Sequence, residues 1–181
     1  MLDLIIKNGQ CYIKGKLEET DVSIKDGKIQ GIGQISDKSK DVIDAKGLIV
    51  LPGCIDTQTH FREPGSTDTE DLNSGSRAAV VGGITAVFEM PNTNPPTSTK
   101  KEFQRKLDLA KNRMYCNYAF YFLATADNAD DLASLEELEG CCGIKLFAGT
   151  STGNLLVAEE DDIDKVFQNA SKVVAVHSED E

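Results

Sequence analysis

The sequence predicts an α/β fold: a partial TIM-type (β/α)8 barrel of roughly five strands, preceded by a small β-sandwich segment. Three observations predict it. From Gly47 onward, apolar runs alternate with segments of helical periodicity, as in parallel strands joined by crossover helices. Before that point, short alternating runs are separated by turn dipeptides, the pattern of hairpins. Ligand-type residues then collect at the C-terminal ends of the predicted strands, the face on which such barrels carry their chemistry.

The elements follow in order. Residues 1–46 read as the N-terminal part of a small β domain: Leu4–Lys7 leads into Asn8-Gly9, and Val22–Lys25 into Asp26-Gly27 before Lys28–Gln30. Asn-Gly and Asp-Gly between alternating runs are strong hairpin signals. Residues 47–181 read as the N-terminal part of the barrel. Thr67-x-x-Glu70 is a capping box opening a helix to about Val81, which Gly82-Gly83 ends. Ile84–Met90 is a strand. Thr99-x-x-Glu102 caps a second helix, whose Phe103, Leu107 and Ala110 form one apolar stripe. Tyr115–Leu123 is a strand, 128–138 a helix, Cys141–Phe147 a strand, Glu160–Ser171 a helix and Lys172–His177 a strand. A closed barrel needs roughly 200 residues or more, so the expectation is the N-terminal part of a longer protein.

Composition narrows the function classes. The 181 residues carry a net charge of -11, and no Lys/Arg block exceeds Lys100-Lys101. Nucleic-acid and anionic-membrane binding are therefore not expected. The N-terminus MLDLIIKNGQ has no basic stretch followed by a long apolar core, so no signal peptide is expected. The five cysteines lack C-x-x-C spacing, which reads as free thiols in a reducing cytoplasm rather than a disulfide framework.

The stretch Leu51–Gly65, LPGCIDTQTHFREPG, organises the rest. Beyond Pro52-Gly53, alternation puts Asp56, Gln58 and His60 on one strand face and Thr57 and Thr59 on the other. Donors at i and i+2 aim at one point, which suits a metal. Arg62, Glu63, Pro64 and Gly65 follow as a charged turn. The only other histidine, His177, ends the apolar run Lys172–Val176. Two histidines at strand ends favour a ligand role over a structural one, because imidazole is a usual zinc donor. Lys145 lies among apolar residues; its ammonium either snorkels to solvent or is neutralised, paired or modified. Taken alone, Arg62 equally suits a surface pair with Glu63, and Asn92 a turn between prolines. Glu179 and Asp180 suit either a solvated turn or carboxylates orienting His177. Gly149–Asn154 lacks the Lys-Ser/Thr ending of a phosphate loop and reads as part of the barrel mouth.

These residues carry a resemblance that covers the whole chain. LPGCIDTQTHFREPG is similar to the Asp-x-His-x-His signature of the cyclic amidohydrolase superfamily of metal-dependent hydrolases. Arg62–Gly65, together with Met90-Pro91-Asn92-Thr93-Asn94-Pro95, narrows it to the N-terminal portion of the dihydroorotase family. The resemblance implies a cytoplasmic hydrolase of pyrimidine biosynthesis that interconverts N-carbamoyl-L-aspartate and dihydroorotate, with one or two zinc ions. It implies His60, His177 and Lys145 as metal ligands. In two-metal members Lys145 would be carbamylated and bridging, although some dihydroorotases bridge with an aspartate. Arg62 and Asn92 would hold the substrate carboxylate. The small β domain would be completed from the far C-terminus, and the general acid/base aspartate and a further histidine ligand would lie beyond Glu181. Residues 1–181 by themselves are then expected to be inactive.

Gln58 stands where the signature has its first histidine. A neutral amide oxygen is a weaker zinc donor than imidazole. Three readings follow: an active one-metal enzyme, a two-metal enzyme using the Gln58 oxygen, or an inactive homologue. The substrate motifs favour an active enzyme. Two alternatives stand beside dihydroorotase: a related cyclic-amide hydrolase of the allantoinase, hydantoinase or dihydropyrimidinase type, and a non-catalytic structural partner, as of aspartate transcarbamoylase. A homo-oligomer is compatible with either.

Overall fold

The computed structural model describes residues 1–149 and 155–179. Two compact units divide after Pro52.

In the first unit, β1 (Leu2–Ile13) pairs antiparallel with β2 (Lys16–Lys25), and β2 with β3 (Lys28–Gly33). Two further strands, β4 (Ser39–Asp44) and β5 (Ile49–Val50), run parallel to β1. The Asp26-Gly27 turn forms as expected, with φ of 50° and 72°. Asn8-Gly9 does not turn the chain. Strand β1 runs through it with a register shift between Ile6 and Gly9, because Asn8 finds partners across the sheet. Its backbone amide donates to Asp21 Oδ1 (3.1 Å) and its side-chain amide to Asp44 Oδ1 (2.9 Å). Glycine at position 9 answers a close approach, since a Cβ there would meet Val50 Cγ2 at 2.6 Å. Gln10 and Cys11 pair with Ile49 and Val50, so these two residues, placed by the sequence in the barrel segment 47–181, belong to this sheet.

The second unit is a five-stranded parallel sheet in which sequence neighbours are spatial neighbours. Its elements are β6 (Cys54–Thr59), α1 (Leu72–Val81), β7 (Ile84–Glu89), α2 (Lys100–Ala110), β8 (Asn117–Leu123), β9 (Cys141–Phe147), α3 (Glu160–Asn169) and β10 (Val174–His177). Between β8 and β9 the expected helix is a 3-10 helix, Ala126–Leu135. Its buried residues Ala129, Leu132 and Leu135 recur every third position, so three residues per turn keeps them on one face. Thr99 caps α2 as expected, accepting from Glu102 N at 3.1 Å. The cap of α1 is Asp71, not Thr67. Asp71 Oδ1 accepts from Ser74 N (2.6 Å), while Thr69 turns back onto Ser66 O (3.0 Å).

The core lies between sheet and helices. Phe103 of α2 is fully buried, 6.4 Å from Phe120 edge-on and 6.2 Å from Phe122. Val87, Ile144, Leu146, Leu132 and Val166 close around them. No helix among the described residues is long and apolar enough to cross a membrane.

Candidate active site

The parallel strands deliver the sequence-predicted residues to their C-terminal ends. His60 follows the last residue of β6, Asn92 lies in the loop after β7, and His177 ends β10. Lys145 of β9 pairs in register with Ala175, and Phe147 with His177. Side-by-side residues of parallel strands point to one face, so Lys145, Phe147 and His177 share it. The Phe147 ring centroid lies 4.9 Å from Lys145 Nζ and 5.8 Å from the His177 ring. Ile144 and Leu146 alternate to the opposite face and enter the core.

His60 Nδ1 lies 2.9 Å from Asn92 Oδ1. An amide oxygen only accepts, so this bond places the proton on Nδ1 and leaves the Nε2 lone pair for a ligand. Burial pushes the His60 pKa below its ordinary value, offset in part by the Asn92 bond, with the charges of Arg62, Lys145 and Lys106 adding to the depression. The curl of the sheet thus brings the first strand's histidine within electrostatic reach of the fourth strand's lysine.

Lys145 is 4% exposed, and no carboxylate pairs with it among the described residues. Burial pushes its amine below the ordinary value of 10.5. The folded chain therefore binds that proton less tightly than the unfolded chain, and stability rises with pH and levels off above about 10.5, once the unfolded amine is neutral as well. In metal-free protein, Lys145→Met is expected to raise stability at neutral pH by about 1 kcal/mol, with the gain fading above the ordinary lysine pKa. Thermal melts at neutral and strongly alkaline pH check this. A variant less stable at neutral pH would mean that the amine is already satisfied.

Arg62 carries no ion pair among the described residues. Its neighbour Glu63 is buried and committed elsewhere. Both Glu63 oxygens accept from Arg113, at 2.8 and 3.0 Å, and Oε2 also accepts from Leu72 N at 2.9 Å. The alternative of an Arg62–Glu63 pair is thereby displaced. The loop bearing Arg62 also meets the loop bearing Asn92, because Asn94 N donates to Pro64 O at 2.9 Å. The clamp fixes the end of β6 to the start of α1. Arg113→Ala is expected to cost about 2 kcal/mol, below the roughly 3–5 kcal/mol of a fully buried pair because Arg113 is partly solvated. Urea denaturation of the two proteins measures it, and an unchanged midpoint would show that the loop holds without the clamp.

Gln58 is exposed and its backbone amide donates to Asp56 Oδ1 at 3.0 Å. His177 Nε2 stands 3.9 Å from Glu179 Oε1, beyond hydrogen-bonding distance. Asp180 and the loop residues 150–154 lie outside the described residues. Among the described residues, no group of three or more His, Cys, Asp and Glu side chains could hold a metal. The donors present are two imidazoles and an unpaired, buried lysine. By their chemistry these donors would suit an open metal site that takes its remaining ligands from other groups.

Sequence reading missed a buried ion pair behind this face. Glu89, the last residue of β7, pairs with Lys106 of α2, and both are fully buried. Burial pushes Glu89 up to about 8 against the pull of Lys106, and pushes Lys106 down. The available signal was a charged residue at 89 within an apolar strand and another at 106 beside the Phe103–Leu107–Ala110 stripe.

Comparison with known proteins agrees with this architecture. Residues 49–177 match the amidohydrolase family. An allantoinase of Escherichia coli O1:K1 is 42% identical over 149 residues, covering 82% of this chain and 33% of that protein. A dihydroorotase of Methanosarcina mazei is 37% identical over 185 residues, covering 100% of this chain and 40% of the relative. The structure of L-hydantoinase (dihydropyrimidinase) from Arthrobacter aurescens superposes with a TM-score of 0.91 at 30% identity, covering 100% of this chain and 42% of that one. The chain thus spans between a third and about two fifths of the curated relatives' length. Its half-barrel, its strand-end histidines and its extended family match together make the chain a member of the amidohydrolase family.

Proposed function

We propose that this chain is the part of a cytoplasmic dihydroorotase-like hydrolase that carries the first metal ligands and the carboxylate-recognition residues. The observation that carries the reading is Arg62: exposed, two residues after His60, and without an ion pair among the described residues because Arg113 occupies Glu63. A planar guanidinium suits bidentate capture of the carboxylate that dihydroorotate bears and neutral cyclic ureides lack. Asn92, its oxygen turned to His60, has its amide N–H groups left to donate to the same carboxylate.

His60 Nε2, His177 and Lys145, free or carbamylated, would hold one or two zinc ions, with Gln58 a weaker donor. Zinc bound there supplies polarisation of the ring amide carbonyl and a water ionised near neutral pH. The residues of this chain then bind and orient: Arg62 and Asn92 hold the carboxylate, and Asn92 fixes the His60 tautomer.

A second reading rests on the 42% identity to the E. coli allantoinase. It makes the substrate a neutral ureide ring. Purified native full-length protein, assayed on dihydroorotate, allantoin, hydantoin and dihydrouracil, separates the two. Preference for dihydroorotate supports the carboxylate reading. Preference for allantoin or hydantoin refutes it, and no turnover on any of the four, in protein that purifies with no stoichiometric zinc, favours a structural partner, such as one of aspartate transcarbamoylase.

A further inference from the structure

The buried pair Glu89–Lys106 has no place in metal or substrate binding, yet it sits where both site loops begin. Removing two charges from water costs several kcal/mol per ion, and well-packed apolar residues often serve stability as well or better. A pair retained in a core therefore invites a search for something that apolar side chains would not supply. Here that is a hydrogen-bond donor. Lys106 Nζ donates to Met90 O at 3.1 Å, from behind the sheet, while Glu89 and the Phe120 ring, 5.3 Å away, hold the amine in place.

Met90 is itself the crossing point of the two loops. Its N–H donates to Thr59 O at 2.9 Å, and Thr59 is the residue before His60. Its carbonyl begins the peptide to Pro91, and Asn92 follows. The loop is closed beyond by Thr97 N donating to Pro91 O at 2.9 Å. Proline has no N–H, so at the residue after Met90 the chain has no backbone donor with which to hold its own position. The Met90 carbonyl, 1% exposed with its residue, depends on a side chain to set its direction. Lys106 is that side chain.

We propose that Lys106, held by Glu89, is a positioning residue: it fixes the Met90 peptide and thereby the Asn92 Oδ1–His60 Nδ1 bond that selects the His60 tautomer. The proposal rests on the reading that His60 and Asn92 face the reacting centre, but its readout is a ring tautomer and not turnover.

Residues 1–181 contain two histidines, and loss of one signal in a His60→Gln variant assigns the His60 ring in long-range proton–nitrogen spectra. Metal-free full chain at mildly alkaline pH is expected to show His60 as the Nδ1–H tautomer. A wild-type ring that is mainly Nε2–H overturns the proposal without any variant. Two double variants then separate the donor from the packing. Lys106→Gln with Glu89→Gln keeps a donor for Met90 O and is expected to keep the Nδ1–H form. Lys106→Met with Glu89→Leu keeps volume but no donor, and the Nε2–H form is expected to become the major one. Retention of Nδ1–H in the apolar pair, or its loss in the amide pair, overturns the proposal. If the apolar pair does not fold, the amide pair and the wild-type ring decide. The substrate panel above fails or succeeds independently of these spectra.

Discussion

Replacing Arg62 with alanine in the full-length enzyme is expected to lower kcat/KM for dihydroorotate by about 100-fold, or roughly 3 kcal/mol. Turnover of a neutral ring such as hydantoin is expected to change by less than about threefold, within the range of a contact that does not touch the substrate. The reasoning is electrostatic. In a chain of net charge -11, an anionic substrate needs a local positive focus. The adjacent Glu63 is already engaged by Arg113, and Glu89, which feels the Arg62 charge, by Lys106. Arg62, exposed and without an ion pair among the described residues, is the cation that the proposed reading assigns to this focus. Arg62→Lys is expected to recover only part of the loss, because an ammonium lacks the planar fork that matches a carboxylate. Steady-state kinetics on both rings measure this. Equal losses on the two substrates would mean that Arg62 holds the loop together, and the carboxylate-selective reading would fall.

Phe103→Ala is expected to destabilise the chain by about 3–5 kcal/mol, which for a domain of ordinary stability is a large part of the total. Phe103 is fully buried and is the side chain through which α2 meets β8, touching Phe120 edge-on and Phe122 at a tilt. Truncation removes both the transfer energy of the ring and the aromatic contacts, and leaves a cavity in a layer walled by strands that cannot close it. Because Lys106 lies one turn along the same helix, movement of α2 into the cavity would also disturb the Met90 carbonyl. Urea unfolding gives the number. A loss below about 1 kcal/mol would mean that the helix collapses onto the sheet at little cost.

Much of the barrel half was legible because its signals are local. The Cys141–Phe147 run is a strand from its composition alone, and Thr99 with Glu102 marks a helix start in four residues. His60 and His177 at strand ends were legible for the same reason. What escaped depended on partners far away in sequence. Asn8-Gly9 has the chemistry of a hairpin turn, yet Asp21 and Asp44 made it a bulge within a long strand. Thr67 and Glu70 match a capping box, but Glu63 and Asp71 take up the first amides of α1 instead. Ile49-Val50 reads as the opening of the barrel until its pairing with β1 is seen.

The sequence by itself determined the alternation of strand and helix and the set of side chains at the strand ends. Periodicity and capping act over a few residues, and such short-range energies can be read without knowing the fold. Only the tertiary structure decided which charge is free. Glu63 lies next to Arg62 in the chain but bonds Arg113, 50 residues away, and Glu89 finds Lys106 on another layer. Burial decides such pairings: a carboxylate out of water must take the cation whose geometry reaches it, whatever stands beside it in sequence.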